Sequence, residues 1–92
     1  MLRQSARVRL ITNELRAALD FLELARMEFG QKHSHFAAEL LAEAEHNLDV
    51  ANHLLEEIPV QFEQDRSRFS MEIAKVQQAI QETRAHKQSA KA

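Results

Sequence analysis

The sequence predicts an all-α fold: an antiparallel helical hairpin plus a longer third helix, a three-helix bundle that is expected to dimerise. Two observations lead there. Apolar residues recur every three and four positions on two adjacent stretches, the period of a helix that turns one seam toward a neighbour. The 92 residues also hold one glycine, one proline and no tryptophan or tyrosine, with Ala, Leu, Glu, Gln and Arg in abundance. That composition favours helices and leaves little material for hairpin turns.

The first helix is expected over about residues 5–29. Its seam is Val8, Ile11, Leu15, Ala18, Leu22, Ala25 and Phe29. Gly30 follows the last seam residue, where a C-terminal cap belongs. After the short connection Gln31, Lys32 and His33, Ser34 stands as an N-cap for a second helix over about 35–58. The second seam is Ala37, Leu41, Ala44, Leu48, Ala51, Leu55 and Ile58, and Pro59 ends the helix by restricting its predecessor. A short connection makes the two helices antiparallel neighbours. The alanines of both seams allow close approach, with leucines filling the space between.

The third helix is expected over about 60–88, within a single domain spanning 1–92. Its apolar stripe is Phe62, Phe69, Ile73, Val76 and Ile80, with Arg66 at a core-type position and a fading pattern at Thr83 and Lys87. The tail from Ser89 to Ala92 is expected to fray. One narrow stripe covers one groove. Yet each hairpin helix carries a second apolar row: Leu10, Ala17, Phe21 and Leu24 on the first, Phe36, Leu40, Val50 and Leu54 on the second. Glu14, Glu28, Glu43 and Asn47 interrupt these rows. Uncovered rows of this kind mark an interface, so Leu10, Phe21, Leu24, Phe36, Leu40, Val50 and Leu54 are the candidate interaction surface. The expected partner is a second copy of the chain or another helical protein.

Residues Phe21, Leu24, Ala25, Ala37, Leu41 and Ala44 have the spacing of a tetratricopeptide unit, and residues 21–49 resemble one helical hairpin of that family. The chain departs from it at Glu28 (tyrosine in the family), Lys32 (glycine) and Asp49 (proline). The resemblance implies protein binding and assigns no catalytic residue.

Other chemistry has less footing. Glu43 and His46 form a Glu-x-x-His pair, the spacing that builds carboxylate–histidine metal sites in helical bundles; a homodimer would hold two copies, with Glu14 or Glu28 as facing carboxylates. His46 and His53 share a helix face with Asp49. Against a metal centre, His46 lies opposite the alanine seam, and the expectation is no metal and no cofactor. Ser5, Ser34, Ser67, Ser70 and Ser89 sit in no glycine-flanked elbow, and a single glycine cannot cradle phosphate. No enzyme activity is expected.

The formal charge is −2, which gives no general reason to expect nucleic acid. Arg3, Arg7, Arg9 and Arg16 make the start of the chain basic, without aromatic stacking residues beside them. Glu39, Glu43, Glu45, Asp49, Glu56 and Glu57 make the second segment acidic, so the first two helices are expected to attract each other. With no cysteine and no apolar run near the ~20 residues that span a bilayer, a cytoplasmic location without membrane association is expected. The function expected is a non-catalytic helical interaction or scaffold module. The alternatives are the dimeric metal-binding bundle and a small nucleic-acid-associated regulator.

Overall fold

The computed structural model describes residues 4–59 and 62–91, with side chains over 6–59 and 62–85. Arg3 and residues 60–61 lie outside the described residues, as do the side chain of Lys87 and those of the tail. The described residues form three helices: α1 (Gln4–Gly30), α2 (Ser34–Glu56) and α3 (Glu63–Lys91). There are no strands among the described residues. The molecule is 48 Å long and 20 × 14 Å in section. Among the described residues, no helix is long and apolar enough to cross a membrane.

α1 and α2 make the most extensive interface, and the two seams are the reason. Ile11, Leu15, Ala18 and Leu22 meet Leu41, Ala44, Leu48 and Ala51 in one buried cluster. Ala18, Ala25, Ala37, Ala44 and Ala51 have no exposed surface, so backbones approach closely wherever these residues face one another. Burying each of the intervening leucines is worth roughly 1.5–3 kcal/mol. α3 adds Phe69, Ile73, Val76 and Ile80 to the same cluster.

The α3 stripe runs further than its apolar residues indicate. Thr83 is completely buried. Its hydroxyl donates to the Ala79 carbonyl oxygen at 2.8 Å and accepts from Arg26 Nε at 3.1 Å. Two hydrogen bonds satisfy the polar atom, so a threonine can hold a core position. Arg66, at its core-type position, is half-buried and sends Nη1 to the Ile58 carbonyl oxygen at 3.0 Å. A long side chain can hold such a position partly buried while its head finds an acceptor.

The α1–α2 turn corrects two expectations. Gly30 is still helical, and no described glycine has positive φ. The left-handed residue is Lys32, at φ 67°. Lys32 N–H donates to the Phe29 carbonyl at 3.1 Å and His33 N–H to the Glu28 carbonyl at 2.8 Å. This pair of bonds is a Schellman turn, which needs a positive φ at the residue after the helix cap. Helix α1 runs one residue past Phe29, so the requirement falls on Lys32, at the position the tetratricopeptide pattern fills with glycine. Ser34 is not the N-cap of α2 either. His33 occupies that position, its carbonyl accepting from Ala37 N–H at 3.0 Å, and it makes no side-chain capping bond because its ring lies against Glu28 Oε2.

At the other end of α2, Glu57 is the C-cap. Arg7 Nη1 reaches the Glu57 carbonyl at 2.8 Å, beside the Arg66 contact to Ile58. Two guanidinium groups from α1 and α3 thus take up carbonyls that the helix end leaves free, and their charge complements the negative end of the helix dipole.

Candidate interaction surface

Helix periodicity determines which side chains share a flank, and α3 determines which flank is covered. On α1, Thr12, Leu15 and Leu19 line a shallow groove of about 300 Å³ with Glu72, Lys75 and Val76 of α3. Further along, Arg26 meets Thr83 and lies 3.4 Å from Glu82. On α2, Glu45 pairs with Arg84. These contacts place α3 against one flank of the hairpin. At ~100° per residue, Leu10, Phe21 and Leu24 of α1 fall on the opposite side of the α1 seam, and Phe36, Leu40, Val50 and Leu54 on the opposite side of the α2 seam. Both second rows therefore belong to one open face.

The rows are not equally exposed. Leu10, Leu24 and Phe36 keep 40 %, 46 % and 51 % of their surface in water. Phe21, Val50 and Leu54 are half-buried; Phe21 touches both core clusters and Leu54 packs against the larger one. Leu40 is only 8 % exposed, enclosed with Ala25, Phe29 and Ala37. It is a core residue, because alanines on both helices draw the backbones close enough at this level for Leu40 to fill the seam. The apolar relief of the open face is thus Leu10 at one end and Leu24 with Phe36 near the turn.

Leu19 and Met27 on α1 and Met71 on α3 are also exposed, and the seam pattern does not single them out. Leu19 borders the α3 groove, a role that depends on where α3 lies.

Between Lys32 and Arg66 the chain has no lysine or arginine. Glu14 and Glu28 are half-buried at the open face and Glu43 is exposed there. Glu28 Oε2 lies 2.6 Å from His33 Nδ1 across the Schellman turn. Among the described residues, no ion pair joins an α1 arginine to an α2 carboxylate. The expected attraction between the basic start of α1 and acidic α2 is realised instead as Arg7 on a backbone carbonyl. The ion pairs across helices, Arg26–Glu82 and Arg84–Glu45, both involve α3.

Glu43 and His46 are both exposed on α2. Among the described residues, no group of three or more His, Cys, Asp or Glu side chains could hold a metal ion. His53, on the same helix, places Nδ1 2.9 Å from the Asp49 carbonyl. That hydrogen bond, followed by the charge of Glu56, raises its pKa above the ordinary 6.5. Asn47, at the centre of the α2 row, has a buried Nδ2 with no hydrogen-bond partner.

Comparison of the chain with family models, curated proteins and solved structures found no match.

Proposed function

We propose that this chain is a non-catalytic helical interaction module, and that it binds through the open face of its α1–α2 hairpin. One observation carries the proposal: Leu10, Leu24 and Phe36 stay 40–51 % exposed on a single side that α3 leaves bare. Large apolar side chains along one face favour association, since covering them removes apolar surface from water. The hairpin already holds α3 on its other flank in the same manner. The resemblance of residues 21–49 to a tetratricopeptide hairpin supports the same class of function. A second copy of the chain and a helix of another protein are both partners of this kind.

The test is a Leu10→Ser, Leu24→Ser, Phe36→Ser variant. A surface kept for binding contributes little to the isolated fold, so we expect stability to fall by no more than about 1 kcal/mol per site, while binding of an apolar fluorescent dye decreases. A loss of about 2 kcal/mol or more at each site would instead make these residues part of the core and refute the proposal.

A further inference from the structure

We propose that the occupant of the open face is a basic amphipathic helix of another protein, seated between α1 and α2 opposite α3; this rests on the interaction function above and specifies its partner. Charge distinguishes the partner from a second copy. The carboxylates bordering the apolar relief are Glu14, Glu28 and Glu43. Among the described residues, Arg7 is turned onto the Glu57 carbonyl, Arg26 and Arg84 toward the α3 interface, and Arg16 lines the α1–α3 groove, while the exposed Arg9 falls opposite the α1 seam, on the outer side of that helix. Lys32 sits only in the turn at the end of the face. A two-fold dimer would bring the same patch from each copy together, setting these carboxylates against one another as water is excluded. Like charges across an interface suppress such pairing.

A helix with an apolar stripe flanked by Lys or Arg meets the opposite situation. Its stripe covers Leu10, Leu24 and Phe36, and its cations face the acidic border. The covered flank already contains such an arrangement: α3 brings Phe69, Ile73 and Val76 to the core and Arg84 to Glu45. From Leu10 to Leu24 the face is about 21 Å long at 1.5 Å per residue. That suits a docked helix of about four turns with anchors spaced at three and four residues.

The experiment uses the full chain and three synthetic peptides of about 18 residues: an amphipathic Leu–Lys helix, its Leu–Glu counterpart, and a scrambled Leu–Lys peptide without an apolar face. Binding is followed by fluorescence anisotropy at low ionic strength and mapped by amide chemical shifts, with circular dichroism confirming that each variant is folded. We expect the amphipathic Leu–Lys peptide to bind at least about tenfold more tightly than the other two, with shifts concentrated on the open face. Leu24→Ser with Phe36→Ser, and separately Glu14→Lys with Glu43→Lys, should each weaken it about tenfold, a loss of ~1.4 kcal/mol. Equal binding of the Leu–Glu or scrambled peptide, no effect of charge reversal, or shifts confined to the α1–α3 groove would overturn the proposal. A dimer that buries the open face would overturn the basic-helix partner while leaving the interaction function standing. A monomer at all concentrations that binds none of the peptides would defeat both.

Discussion

The two flanks of the α1–α2 hairpin have met different ends. On one, α3 covers Leu15, seals Phe69 and Val76 into the core, and pairs its Arg84 with Glu45. On the other, Leu24 and Phe36 remain half in water and the border is acidic. The difference teaches that an apolar row is not a core position until something packs on it. α3 has one stripe and can bury one flank. The charges complete the contrast: at its two ends α3 meets the hairpin with Arg66 on the Ile58 carbonyl and with the ion pairs Arg26–Glu82 and Arg84–Glu45, whereas the open face offers carboxylates without a cation from α3.

The largest expected effect separates the flanks by truncating one phenylalanine on each. Phe69→Ala should cost about 3–5 kcal/mol in chemical unfolding, as for other buried aromatic truncations. Phe36→Ala should cost less than about 1 kcal/mol, because half of its surface is already hydrated. Similar losses at both positions would mean that the open face is structurally closed.

A second comparison exchanges polar atoms within the rows. Thr83→Val removes a hydroxyl that donates to Ala79 and accepts from Arg26, and should destabilise by about 1 kcal/mol. Asn47→Leu on the open side removes a buried donor without a partner and should stabilise by about the same amount. Thermal unfolding of the two variants should move in opposite directions.

The turn joining the helices offers a smaller shift. Lys32→Gly relieves a left-handed lysine and Gly30→Ala removes a glycine from a helical position where an added Cβ meets nothing within 4 Å. Each should raise stability by about 0.5–1 kcal/mol. Lys32→Gly lowering stability would show that the Schellman turn does not persist in solution.

The smallest effect is pH-dependent and lies on the outer surface of α2. Because the folded pKa of His53 is raised, its contribution is complete below the unfolded value of 6.5 and is lost as pH rises through the folded value. The stability gap between wild type and His53→Gln should therefore be larger near pH 5 than near pH 8, and a nuclear magnetic resonance titration should place His53 above 6.5. A gap that is the same at both pH values would remove the link to the Asp49 carbonyl.

Much of the architecture was legible in the residues, because helix periodicity is local. Ile11 through Phe29 and Ala37 through Ala51 occupy the buried seam their spacing indicates. Pro59 stops α2 within three residues of its last helical position. The open face was legible as two surplus rows. Its details were not. Leu40 belongs to a row by spacing and to the core by packing, since the depth of a flank position depends on how near the partner backbone lies. Thr83 reads as the end of a stripe until Arg26 supplies its second hydrogen bond from another helix. The left-handed position fell on Lys32 because α1 continues through Gly30, and a one-residue shift of a helix end costs too little for composition to reveal.

By itself the sequence determined that three helices form, which stripe of each is apolar, and that the hairpin has more apolar surface than α3 can cover; these follow from a period of 3.6 residues and from counting. Only the tertiary structure decided which flank α3 takes, and so that the second rows of α1 and α2 were left as surface. That choice is made by contacts between residues far apart in the chain, Arg26 with Thr83 and Arg84 with Glu45. Periodicity along one helix carries no information about the side from which another helix approaches.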